Sequence, residues 1–314
     1  MRSGGRTARV VRARGSRRRE SPSNGLERMN DLVLRSAAPT PLPALLSPVH
    51  LVRTLGRSSD LIRQFALRYF HARYRGTQLG FLWALVLPLL TLTIYMFLFN
   101  VIMAPKIGTV LEQTQSQFAV SLFCKITVFA MFSETVIRSC GLVLDNPNYV
   151  TKVVFPLEIL PVANVLSTLM FSGFGLSLVL IGRAVFYHGL TWTAALLPLI
   201  VLPMVLMGLG LSWFLASLTV FVRDVGNLTV VVVSQFLLFL TPIFFSLSNV
   251  PEPWHSIAGL NPLAPIVTAA ELAVVQGKVP EWQGVVASGV FGLVLMQLGF
   301  AWFMKSKRGF ADVL

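Results

Sequence analysis

The chain carries little charge and almost none of the chemistry that makes or breaks bonds. Only 12% of its 314 residues are Asp, Glu, Lys or Arg, against about 25% in an ordinary soluble domain. It contains no G-x-x-x-x-G-K-S/T stretch, so it has no phosphate-cradling loop of its own. No two carboxylates stand close together within an apolar run, which argues against a paired acid and base there. His50, His71, His188 and His255 all lie outside those runs, which speaks against a histidine proton relay or a metal site within them. Cys124 and Cys140 are the only cysteines and read as small core residues, not as a disulfide framework. No catalytic residue, metal ligand or bound cofactor is expected on this chain.

What the chain has is apolar length. Hydrophobic residues make up 54% of it and the mean hydropathy is +0.71. Six apolar runs stand out, at 81–103, 117–138, 157–185, 193–221, 228–247 and 283–304. As a helix rising 1.5 Å per residue, the first would reach about 35 Å, enough to cross a ~30 Å hydrocarbon core with some tilt. The predicted fold is all-α and integral to a membrane, with six transmembrane helices. The segment 248–282 is too interrupted by proline to span. It reads as short re-entrant helices at the outer face, with Trp254, Asn261 and Pro262 as outer-gate candidates.

The net charge of +13 suggests nucleic acid until the charges are located. Sixteen of the 26 basic residues are arginines before residue 80. Residues 1–58 read as a disordered Arg- and Pro-rich tail beside anionic lipid, with no nucleic-acid partner; Met29 is an alternative start. No apolar stretch follows Arg17-Arg18-Arg19 closely enough for a signal peptide. The second domain is 59–314. With the N-terminus inside, the inner segments hold those arginines and Arg138, Lys152, Arg223, Lys305, Lys307 and Arg308. The outer loops hold only Lys106 and Lys278, which orients both termini to the cytoplasm.

Residues 60–75 place Leu61, Phe65, Leu67 and Phe70 among Arg63, Arg68, Arg73 and Arg75, the pattern of an amphipathic interface helix. The stretch Arg73-Tyr-Arg-Gly-Thr-Gln-Leu-Gly-Phe-Leu-Trp83 joins it to the first apolar run. Within the runs, Lys125 and Glu134 lie in the second and Arg183 near the outer end of the third. Glu134 and Arg138 are four apart and suit a local pair. Lys125 either snorkels outward or faces an aqueous pathway, and Arg183 is expected to snorkel. The inner connections are short: Asp145-Asn-Pro-Asn with Lys152 after the second run, and Arg223-Asp224 after the fourth.

Five blocks in order carry a family resemblance. They are Arg73 to Trp83 with Leu87-Pro88; Thr151-Lys-Val-Val-Phe-Pro156 with Ile159-Leu-Pro161; Arg223-Asp224 with Leu240-Thr-Pro-Ile-Phe244; Leu260-Asn-Pro-Leu263; and Phe310-Ala-Asp312. From about Asp60 onward the chain resembles the permease subunits of ABC-2-type polysaccharide exporters, the O-antigen, teichoic-acid and capsule group. The resemblance implies a homodimeric half-transporter in the bacterial cytoplasmic (inner) membrane. A separate ATP-binding subunit, holding ATP and Mg, would drive a polysaccharide or lipid-linked glycan outward. It also implies that Arg73, Arg75, Asp145, Lys152, Arg223 and Asp224 face that subunit. Lys125, Phe129 and Glu134 are candidates for the pathway, where aromatic side chains would stack on sugars. One departure is Cys124-Lys-Ile-Thr-Val-Phe129, where a lysine stands in place of the family's small residue. A permease for a drug or small lipid on the same fold is the alternative. A membrane-embedded transferase is disfavoured by the missing acid/base groups.

Overall fold

A computed structural model describes residues 47–73, 75–76, 78–98, 115–151, 155–245, 251 and 259–314. Every regular element among these residues is helical. The chain starts its ordered part earlier than the sequence suggests. Ser47 is extended (φ −84°, ψ 122°), and Pro48, whose fixed φ suits a first helical position, opens α1 (Pro48–Arg57). Leu51 of α1 is buried, and the His50 ring lies 6.4 Å from Phe300. Residues 48–57 therefore belong to the folded body and not to a disordered tail ending at 58; residues 1–46 lie outside the described residues.

In α2 (Ser59–Ala72) the buried residues are Ile62, Phe65, Ala66 and Phe70, an i, i+3, i+4 stripe packed largely on the helix Ile159–Phe186 of the same chain. Leu61 and Leu67, expected on that stripe, are only half-buried at its edges. The joint to α3 (Trp83–Phe97) uses Gly76 (φ 87°) and Gly80 (φ 50°), left-handed positions that cost a side-chain-bearing residue roughly 1–2 kcal/mol each. A Cβ at either would touch nothing, so the backbone angle and not space selects glycine.

Among the described residues, four helical stretches are long and apolar enough to cross a membrane. They are α4 (Gln115–Ser139), α6 (Ile159–Phe186), α7 (Leu197–Phe221, led in by a 3₁₀ turn at Trp192–Leu196) and α10 (Trp282–Ser306). A five-residue helix, α5 (Pro147–Thr151), lies between α4 and α6. Shorter apolar helices are α3, α8 (Val225–Leu240) and α9 (Ala264–Gln276), and α11 (Phe310–Val313) closes the chain. The run expected at 228–247 thus stops at Leu240. Thr241 is extended (φ −84°, ψ 135°) because the proline that follows it excludes the helical region. Both α8 and α9 contain a π turn, at Val232–Leu237 and Leu272–Gln276.

The tightest helix pair is α7 with α10. Pro203 of α7 faces Gly289 and Gly292 of α10, and a Cβ on Gly292 would stand 2.8 Å from the Pro203 carbonyl oxygen. One turn or more further on, Gly210 meets Gly299 backbone to backbone. Small residues at such crossings let helix axes approach where lipid gives no hydrophobic drive. Core side chains collect at three levels: Phe123, Val179 and Val274 at the α9 end; Phe132, Met204 and Ile266 midway; and Trp213, Phe300, Phe303 and Phe310 at the α2 end. Trp192 and Trp302 are exposed, whereas Trp213 is fully buried.

Candidate functional site

At the α2 end an aromatic joint fastens α5 to α2. The Tyr149 ring stacks on Phe155 at 4.7 Å and 23°, and Phe65 meets Tyr149 at 5.6 Å and Phe155 at 5.2 Å. Arg68 donates to the Tyr149 hydroxyl at 2.6 Å. Tyr69 lies beside this group, where burial pushes its phenol up to about 12. Phe155 stands in the block Thr151 to Pro156, but nothing in the sequence joined it or Tyr149 to α2, because α5 is one turn long and the Arg68 partner of Tyr149 is 81 residues away in sequence.

Arg73 caps α2 and pairs with Glu134 on α4, while its guanidinium lies 3.6 Å from the centroid of Phe171 on α6. Arg138 Nε approaches the same Glu134 oxygen at 3.1 Å, the local pair expected from their spacing. The structure thus joins a residue expected at a subunit interface to one expected in a pathway. Three helices are pinned together by one carboxylate and one ring. A pocket of about 250 Å³ opens beside them between α3, α4 and α6, with Pro88, Thr91, Thr127 and Phe171 on its walls.

Arg75, Asp145, Arg223 and Asp224 are all exposed. The Arg223–Asp224 link lies near the close of α4, since Gly226 packs by Cys140. Residues 140–145 form a run of turns closed by Asp145 N–H to the Gly141 carbonyl at 2.8 Å. Lys152 lies outside the described residues. A further clasp was not anticipated. Lys307 donates to Glu158 at 2.7 Å, and the Trp213 indole donates to the Glu158 carbonyl at 3.0 Å, tying α10, α6 and α7.

At the opposite end, Asn261 is buried and bonds both ways. Its amide donates to the Thr241 hydroxyl at 2.9 Å, and its Oδ1 accepts from Leu263 N–H at 3.0 Å. The Pro262 carbonyl accepts from Ser288 at 2.8 Å. Together they hold the start of α9 against the close of α8 and the start of α10. Trp254 lies outside the described residues. Arg183 does not snorkel. It is 7% exposed and donates to the carbonyls of Tyr187 and Gly189, at 3.2 and 2.6 Å.

Phe129 is 3% exposed and is part of the midway core, so within one chain it fills space and does not line an open path. Lys125 neither reaches outward alone nor lacks a carboxylate. Its Nζ lies 3.5 Å from Oε2 of Glu271 on α9, with side-chain exposures of 17% and 8%. Glu271 was missed because 248–282 read as an outer loop. The available signal was a lone carboxylate amid Ala, Val, Ile and Leu.

The described residues thus form long apolar helices with an aromatic and charged joint at one end and a short helix clasped at the other. With that geometry goes a family match. The family model described as ABC-2 type transporter fits residues 60–273, and the chain belongs to that family. Among its relatives, the O-antigen export system permease protein RfbA of Myxococcus xanthus is 28% identical over 269 residues, covering 84% of this chain and 99% of that protein. RfbA of Klebsiella pneumoniae is 26% identical, covering 83% and 97%. The polysialic acid transport protein KpsM of Escherichia coli is 26% identical over 240 residues, covering 75% and 89%.

Proposed function

We propose that this chain is the permease of an ATP-driven exporter that moves a polysaccharide or lipid-linked glycan out across the bacterial cytoplasmic membrane. It works as a homodimer, with both termini cytoplasmic and with ATP and Mg held by a separate ATP-binding subunit. The observation that carries this reading is the match along nearly the whole length of two O-antigen permeases. Further support comes from the α2 end, where Arg75, Asp145, Arg223 and Asp224 stand exposed on short connections suited to a soluble partner. Exposed apolar rows on α3 (Leu85, Leu89) and α8 (Phe236, Phe239) can meet lipid or a second copy.

The mechanism follows from these placements. Force from the ATP-binding subunit enters at α5 and α2, which move as one through the Tyr149 joint. Arg73–Glu134–Phe171 passes the motion to α3, α4 and α6. The α9 end then opens to let the glycan leave. The test is reconstitution of the chain in vesicles with an ATP-binding subunit and a lipid-linked glycan. Export is expected only with both proteins and ATP, and the chain alone is expected to hydrolyse no ATP. Drug efflux without glycan export would instead support a small-molecule permease. Nucleotide hydrolysis by the isolated chain would refute the half-transporter reading.

A further inference from the structure

Glu271 closes the regular turns of α9, in a stretch (264–275) otherwise built of Ala, Val, Ile and Leu apart from Pro265 and Thr268. Three side chains converge on it. The Ser121 hydroxyl donates to Oε1, the Gln276 amide donates to Oε1 at 2.8 Å, and Lys125 Nζ lies beside Oε2. Ser121 and Lys125 are four apart on α4, so one face of that helix presents both groups to α9. Burying two charges in apolar surroundings is expensive, and a well-packed apolar pair of similar volume would hold the helices at least as well. Static packing alone therefore does not account for the pair.

The surroundings point to movement. The π turn of α9 begins at the residue after Glu271, and α8, which Asn261 ties to the start of α9, carries the other π turn. Such widened turns are frequent at functional sites. The remaining ties of α9 that reach other helices through side chains are neutral: Asn261 to Thr241, Ser288 to Pro262, and Thr193 to the Ala273 carbonyl at 2.6 Å. Among the described residues, the one charged link from α9 to another helix is that to α4. An ion pair is a tie that can be exchanged for water when the site wets, whereas interdigitated apolar side chains cannot be replaced in that way.

We propose that Lys125–Glu271 is a latch: it holds α9 closed against α4 at rest and parts during each transport cycle. This rests on the export reading. The test uses Lys125→Cys with Glu271→Cys, in a background with Cys124→Ala and Cys140→Ala, reconstituted with the ATP-binding subunit. Joining the two thiols with a short, reducible bifunctional thiosulfonate is expected to abolish export, and reduction is expected to restore it. A cross-linked protein that exports as well as the uncross-linked one would overturn the latch. If that pair does not insert, Ser121→Cys with Gln276→Cys bridges the same contact, with the same two outcomes. A single Ser121→Cys, which leaves the Lys125–Glu271 pair in place, is expected in the same background to react faster with a membrane-impermeant thiol reagent during ATP turnover than at rest. Equal rates would also overturn the proposal, whatever substrate the transporter moves. Failure of the unsubstituted chain to export glycan in the same vesicles would instead count against the export reading, leaving the labelling result to judge the latch.

Discussion

Replacing Tyr149 separates two contributions to the α2–α5 joint. Tyr149→Phe removes only the hydroxyl that accepts from Arg68 at 2.6 Å. Both groups are partly or fully open to water, so the loss is about 0.5–1 kcal/mol at most. Tyr149→Ala also removes the stack on Phe155 at 4.7 Å and the edge contact with Phe65 at 5.6 Å. Two aromatic pairs at about 0.5–1.5 kcal/mol each make that loss roughly 1–3 kcal/mol beyond the area exposed. A five-residue helix has no stability of its own to offset this. A 2 kcal/mol change alters the docked-to-undocked ratio of α5 about 30-fold.

Global unfolding should register only part of the loss: Phe65 belongs to the core at the α2 end, and the half-buried Tyr149 and Phe155 pack against it. The effect should fall on coupling. In vesicles with the ATP-binding subunit, Tyr149→Ala is expected to keep ATP hydrolysis while the glycan exported per ATP drops. Tyr149→Phe should stay near wild type. A wild-type export-to-hydrolysis ratio for Tyr149→Ala would refute the role of the stack. Equal losses in both variants would assign the effect to the hydroxyl, contrary to the magnitudes above.

Two further expectations concern stability. A Cβ on Gly210 would stand 2.5 Å from the Leu295 carbonyl oxygen, about 1 Å inside ordinary contact, so Gly210→Ala and Gly299→Ala should each cost about 1–3 kcal/mol in detergent unfolding. Gly173→Ala, with nothing within 4 Å, should be neutral or slightly stabilising, and a similar loss there would undo the packing argument. Lys307→Met leaves the buried Glu158 carboxylate without its ammonium partner and should cost about 1–3 kcal/mol. Glu158→Gln paired with it should recover part of that loss, as a thermal melt of single and double variants would show.

Much of the membrane body was legible because apolar length is a local signal. Four of the six apolar runs became helices long enough to cross, and the early stop of α8 was written in Thr241-Pro242. The basic amphipathic segment became α2, and its glycine joint to α3 followed from Gly76 and Gly80. The start of the folded body was missed for a local reason. Pro43 and Pro48 suggested irregular chain, yet Pro48 stands just after Ser47, where proline begins a helix and does not break one.

The candidate site was legible only where its partners were four residues apart. Glu134–Arg138 could be read from spacing, but Arg73–Glu134, Lys307–Glu158 and Lys125–Glu271 join residues at least 60 positions apart. Helical periodicity gives a residue's face and says nothing of which helix lies opposite. A charge ledger constrains more than periodicity does. An unpaired charge in an apolar run costs on the order of 2–3 kcal/mol, so each must find a counter-charge or a set of carbonyls at its own depth. Lys125 lies near the start of α4, and Glu271 lies in an apolar stretch that precedes α10. Both therefore belong to the α9 end, as does Arg183, whose Nη1 donates to two loop carbonyls. With Arg183 accounted for, Lys125 and Glu271 are left as complementary charges at one level. The lysine in the apolar face of α4 and the glutamate in the apolar stretch of α9 each supply the counter-charge that the other requires.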